Sequence, residues 1–219
     1  MNLNDILQKS KQILGEINLL SESTVSNNAL PIDNLILSFC DQAIEEVLLK
    51  VPIYCLNLSE IPNDPIKNQD GSGYIDQDGS GYIELPEDFL PRVIIQMEGW
   101  QREVNQIIKE ENPIYKQQKN PATRGGIVKP VCVLCKRGKN GILEYYSLPP
   151  KVRTHTAKIK LYQKKISINK NKPTEDLTLD NRLLISISYT ICKYINLSIG
   201  DPNISNFLEG EITKNILSL

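Results

Sequence analysis

The sequence predicts an α+β fold: a helical bundle formed by N- and C-terminal helices, with a β-rich subdomain inserted between them. Three observations predict it. Apolar residues recur at helical spacing near both ends of the chain. The middle holds short alternating runs broken by proline and glycine. A helix with one apolar stripe is unstable alone, so the helices of the two ends must meet to bury their stripes. The expected parts are 1–52 with 176–219 as the bundle core, and 53–175 as the insertion.

Each element has its own justification. Leu3, Ile6, Leu7, Ile13, Leu14, Ile17 and Leu20 form the stripe of a first helix. A polar connector runs from Ser21 to Pro31. Asp33 can cap a second helix with Ile36, Phe39, Cys40, Ala43 and Val47 on one face, ending before Pro52. Residues 53–85 read as strand and loop. Residues 86–98 read as a helical turn followed by the short strand Val93-Ile-Ile95. Asn112 to Gly126 reads as an irregular loop. Ile127–Leu134 and Ile142–Leu148 read as a hairpin, with Asn140-Gly141 as its turn signal. Ile159–Ile168 alternates as a strand. Thr178 can cap a helix carrying Leu179, Leu183, Leu184, Ile187, Ile191 and Ile195, which Gly200-Asp-Pro202 stops. A last helix from about Asn203 places Phe207, Leu208, Ile212, Ile216 and Leu219 along one side.

Composition excludes several classes. With 25 basic and 26 acidic residues the net charge is −1, so there is no global nucleic-acid footprint. No basic and apolar leader opens the chain, and no apolar run nears the roughly 18 residues that span a bilayer. The expectation is a soluble, intracellular chain. Five cysteines, an odd number, sit mostly in apolar runs and read as buried thiols of a reducing compartment. Cys132-Val-Leu-Cys135 lies in a strand, where residues three apart face opposite sides, so the pair does not read as a zinc or redox site. The one histidine, His155, lies in an alternating polar segment, and no nucleophile or phosphate-loop motif accompanies it. No catalytic residue is assigned.

One stretch, Asp76 to Glu87, supports two readings. As chemistry it follows a calcium loop: Asp76, Asp78 and Ser80 stand at positions one, three and five, Gly81 at the sharp turn, Tyr82 lends its carbonyl, and Glu87 stands at the bidentate position. Its context is poor, because prolines exclude an entering helix and Pro91 interrupts an exiting one. As architecture it is the second copy of a duplication, Gln69–Ile75 repeated as Gln77–Ile83, each copy an Asp-Gly turn and a short strand. The first reading makes the chain a calcium-dependent binding module. The second needs no cofactor.

Further residues carry a family resemblance. The run Gly81-Tyr-Ile-Glu-Leu-Pro-Glu-Asp-Phe-Leu90, then Gly99-Trp100 and Val104, resembles head-to-tail connector proteins of tailed phages. The likeness continues through Tyr115–Gln118, Asn120-Pro121, Gly125-Gly126, Pro130-Val131, Leu143–Tyr146 and Tyr189-Thr190 in the first helix of the C-terminal pair, in order over most of the chain. The adaptor or ring proteins of short-tailed phages, including the crAss-like gut phages, are the most similar type. The Asp-Gly duplication departs from their pattern. The resemblance implies a structural virion protein, not an enzyme. About twelve copies would close by a head-to-tail contact into a ring beneath the portal. That ring would continue the DNA channel without sequence-specific binding, dock other tail or ring proteins, and touch no membrane. Its place would be the neck of the virion, and the host cytoplasm during assembly.

Two sets of residues are interface candidates. Phe89 and Trp100 are aromatic anchors for a core or an interface. Lys151 to Lys172 holds eight basic residues and no acid, among them Lys158, Lys160, Lys164 and Lys165. These suit an acidic face of a neighbouring copy, passing DNA or plain solvent.

Overall fold

The computed structural model describes residues 1–21, 32–64, 79–120, 122–137, 140–149, 156–170 and 172–219. It is an α+β chain that divides into two compact units, Met1–Asn57 with Lys165–Leu219, and Leu58–Lys164. The sequence reading set the joins after residues 52 and 175; the inserted unit is shorter at both ends.

The first unit is built on helices from both ends of the chain. Leu3–Ser21 forms α1 and Ile32–Lys50 forms α2. Asn2 and Asp5 cap α1 reciprocally: the Asp5 amide donates to the Asn2 side chain (3.0 Å) and the Asn2 amide to the Asp5 carboxylate (2.8 Å). Asp33 lies inside the first turn of α2 and not ahead of it. Leu184–Ile199 forms α4 and Pro202–Leu217 forms α5. Between them Gly200 adopts φ 85°, the left-handed cap that glycine takes without strain. Asp201 then caps α5, accepting from the Ile204 amide (3.1 Å). The other end of α4 corrects the sequence reading. Thr178 is not the cap: Asp180 caps a 3-10 turn at Asn181–Leu183, accepting from the Arg182 amide (2.9 Å), and that turn leads into α4, whose own N-cap position is Leu183.

Helix α4 is the centre of this unit and packs against α1, α2 and α5. Its Ile187, Ile191 and Ile195 are buried with Ile6, Ile13, Ile36, Ile44, Val47, Leu208 and Ile212. Burial of each such side chain is worth roughly 1.5–3 kcal/mol. Phe207, expected on the inner side of α5, is 59% exposed instead.

The inserted unit holds two sheets. The strands are β1 (Leu58–Glu60), β2 (Gly81–Glu84), β3 (Phe89–Met97), β4 (Ile108–Lys109), β5 (Cys132–Arg137), β6 (Asn140–Tyr145) and β7 (Ala157–Lys164). One sheet runs β1-β7-β3 and the other β2-β6-β5-β4, with β4 parallel to β5 and every other pair antiparallel. Their shared core contains Ile83, Val93, Ile95, Met97, Trp100, Cys132, Leu143, Tyr145 and Tyr162. A smaller cluster of Val133, Cys135, Ile142 and Tyr146 lies on the other face of the second sheet, with Tyr115 packed against it.

Several expectations change here. Residues 86–88 form no helical turn: the Phe89 amide donates to the Pro86 carbonyl in a tight turn, and a nine-residue strand follows. Pro91 is tolerated because the register of β3 against β7 shifts between Leu90 and Val93, so no ladder bond is lost. Asn140 and Gly141 are not the hairpin turn. They pair within β6, opposite Arg137 and Lys136. The expected loop after Asn112 contains a short helix, α3 (Pro113–Gln118), capped by the Asn112 side chain (2.9 Å) with proline in the first turn.

Candidate functional site

Of the calcium-loop candidates, Asp76 and Asp78 lie outside the described residues. Ser80 comes just before β2, and Tyr82 is within it, opposite Glu144. Glu87 is exposed in the turn between β2 and β3. The segment therefore leaves into a strand, where a calcium loop leaves into a helix. The duplication reading is followed closely by its second copy. Gly79 has φ 76°, the strand Gly81–Glu84 comes next, and a Cβ on Gly79 would overlap the Leu148 carbonyl. Among the described residues, no group of three or more His, Cys, Asp or Glu side chains could hold a metal ion.

Cys132 and Cys135 face opposite sides of the second sheet, one in each apolar cluster, so they cannot grip one ion together. Burial pushes both thiols up, Cys135 to about 12, which keeps each in its unreactive protonated form at neutral pH. His155 lies outside the described residues.

Trp100 is 3% exposed and belongs to the core of the inserted unit. Phe89 is partly buried and stacks on Tyr162 with ring centroids 6.0 Å apart. The Tyr162 hydroxyl donates to Asp88 (2.8 Å). The lysine run divides between the two units. Lys158 and Lys164 are exposed in β7, with no ion pair among the described residues. Lys160 binds Asp64 (2.7 Å) and lies 3.9 Å from Glu60. Lys165 lies 3.8 Å from Glu45 of α2. The basic run is thus partly neutralised by its own chain.

Two polar clusters escaped the sequence reading. In the helical unit, Lys193 of α4 donates to Glu46 of α2 (2.7 Å) and Glu209 of α5 (3.0 Å), and Lys50 bridges the same two carboxylates at 2.7 Å each. The Tyr194 hydroxyl also donates to Glu46. Burial pushes the Glu46 carboxyl up, but the hydrogen bonds from Lys193, Lys50 and Tyr194 outweigh it and hold the group down at about 2. Hydrogen bonds from Lys50 and Lys193 also lower Glu209, against its own burial. Two lysines and two glutamates cancel in charge and fix three helices in one register. The sequence signal was Lys193, a cation in the apolar face between Ile191 and Ile195.

In the inserted unit, Glu144 accepts from the hydroxyls of Tyr115 (3.2 Å) and Tyr146 (2.6 Å), and the Cys135 thiol lies 3.8 Å from the Tyr115 oxygen. Burial raises both tyrosines, aided at Tyr115 by the Cys135 thiol and then Glu144 and at Tyr146 by Glu144, so they remain donors. This cluster pins α3 to the sheet.

Ile199 (69%), Phe207 (59%) and Leu217 (81%) stand out from α4 and α5. No helix among the described residues is long and apolar enough to cross a membrane. No protein-family model matches the chain, and no curated protein matches it either.

Proposed function

We propose that the chain is a structural subunit of a tailed-phage connector. Copies close into a ring beneath the portal, continue the channel for DNA and present a docking surface to the tail. The carrying observation is the layout. Helices from both chain ends pack around α4 as one unit, and the segment with most of the connector-like residues, 81–146, is a separate two-sheet unit inserted between them. The first residues are tied to the segment that leads into α4: the Leu177 amide donates to the Met1 carbonyl (2.9 Å), and Asn2 bridges Asp176.

The exposed Phe207 and Leu217 of α5 support a protein partner for the helical unit, since large apolar side chains in solvent mark contact surfaces. In this reading the protein resides in the virion neck. The test is co-sedimentation with portal rings. The proposal expects saturable binding at a fixed ratio of subunits to portal, and Phe207→Ser with Leu217→Ser weakening it or the ring itself. A chain that neither binds portal nor self-associates contradicts the proposal.

A further inference from the structure

Between Asn112 and Leu143 the chain carries seven basic residues and no acid, while the rest of it holds eighteen bases against twenty-six acids. Helix α3 marks the division. Glu110 and Glu111 precede its cap, and the bases begin in its last turn with Lys116, followed by Lys119. The residues after α3 then fold back on it. Gln118, 2% exposed, is the pivot: its side chain donates to the Ile114 carbonyl (3.3 Å) and accepts from the Gly125 amide (3.0 Å). The Thr123 hydroxyl donates to the Gln117 carbonyl (3.0 Å), and the Asn120 side chain accepts from the Ala122 amide (2.9 Å).

Gly125 passes so close to Lys129 that a Cβ on it would overlap the Lys129 carbonyl, and the Lys129 amide donates to the Gly126 carbonyl (3.0 Å). The close approach, and not a positive φ, requires glycine there. Through Gln118 and Gly125 the fold thus returns Lys129 to the end of α3, where Lys116 and Lys119 are neighbours at i, i+3. The bonds that hold this loop use neutral side chains and backbone, and its cations take no part in them. Lys116, Lys119 and Lys129 are exposed, and none has an ion pair among the described residues. The Lys119 ammonium lies 4.4 Å from the centre of the Tyr115 ring. In the helical unit, by contrast, Lys11, Lys50, Lys165, Lys172, Lys193 and Lys214 all have carboxylate partners within the chain.

We propose that this loop seats the phosphate backbone of a nucleic-acid duplex, with Lys116, Lys119 and Lys129 each facing a phosphate and no base edge read. The inference rests on the connector reading, in which a duplex passes the ring, and names the residues that touch it. A duplex presents a negative charge every 1.7 Å or so of its axis, so an acid within the contact would meet a phosphate. A run of thirty-two residues without one suits that continuous polyanion. The small residues Ala122, Thr123 and Gly126, exposed between the lysines in sequence, leave room for the backbone. Ile114 and Val128 are 42% and 54% exposed in the same stretch, and they separate the two classes of partner. A protein contact draws on apolar side chains at its centre, whereas a phosphate backbone gives them nothing. Three phosphate contacts make a weak, salt-sensitive hold, which a duplex in motion can leave.

The test measures binding of a short DNA duplex of mixed sequence by fluorescence anisotropy across a salt series, beside native mass spectrometry with and without portal. Wild type should bind with a log–log salt slope of about −3, and each single Lys→Gln change should reduce that slope by about one. The triple change Lys116→Gln, Lys119→Gln and Lys129→Gln should weaken binding about tenfold or more at low salt, with an unchanged unfolding midpoint. The same three positions changed to Arg should bind as wild type does. Lys158→Gln with Lys164→Gln, which removes exposed charge elsewhere, and Ile114→Ser with Val128→Ser should both leave binding unchanged. No binding by wild type at low salt, or equal binding and slope in wild type and the triple Gln variant, overturns the proposal. If the triple Gln variant keeps the duplex but loses self-association or portal, the lysines serve a protein; the proposal fails and the connector reading stands. If wild type holds the duplex through these lysines but neither self-associates nor binds portal, the connector reading falls and the contact stands.

Discussion

Glu46 and Gly79 show at the residue scale how single side chains hold the two units. Glu46 is ionised far below the ordinary carboxylate range, at about 2, because Lys193, Lys50 and Tyr194 all donate to it. A carboxyl depressed in the folded state contributes stability that is fully present above its unfolded value, about 4.5, and is lost as pH falls from there toward 2. Glu46→Gln should therefore cost about 2 kcal/mol at pH 7, with much less difference from wild type near pH 2. Thermal unfolding across that range measures it; parallel curves at all pH values would contradict the role. Gly79 is held by backbone geometry. Gly79→Ala forces a Cβ into the Leu148 carbonyl at a positive φ and should cost about 2 kcal/mol or more in denaturant unfolding. A near-neutral result would mean that the turn relaxes freely.

Helices were more legible than strands at the element scale, and the reason is range of interaction. The stripes of α1, α2, α4 and α5 are set by spacing within each segment, and caps and stops such as Gly200 are local chemistry. Strand β3 is different. Pro86-Glu-Asp88 fits a helix start as well as a turn. Pairing with β7 and burial of Val93, Ile95 and Met97, which are contacts distant in sequence, decide the matter. The alternation at 93, 95 and 97 was available and under-read. Asn140-Gly141 misled because a turn preference is weaker than a register with Ile142 and Leu143 buried. Asn112-Pro113 was a legible start for α3. The two-residue, parallel β4 has no periodicity to read. The Glu46–Lys193 network could not be assembled from sequence, since its members come from elements far apart in the chain.

Helix α4 provides the element-scale prediction. Ile187 is buried where α4 meets its neighbours, and Ile185 on the same helix is 40% exposed. Ile187→Ala should cost about 2–5 kcal/mol, while Ile185→Ala should stay within about 0.5 kcal/mol. Equal costs would mean that α4 is not the centre of the helical unit.

At the scale of the whole molecule, the proposed role is that of a building part whose chemistry is contact. Each unit is compact in itself, and the titratable networks of Glu46 and Glu144 are satisfied internally. Calcium provides a check on the competing reading. Addition of calcium should leave the unfolding midpoint unchanged; a rise of several degrees that Glu87→Gln abolishes would return Asp76–Glu87 to the role of a metal loop.

The most direct measurement of the central claim is the mass of the intact wild-type particle by native mass spectrometry, for the chain alone and mixed with portal protein. The account predicts one closed species of defined copy number, about twelve by the resemblance, with no open-ended ladder of sizes. A strict monomer that ignores portal would contradict it.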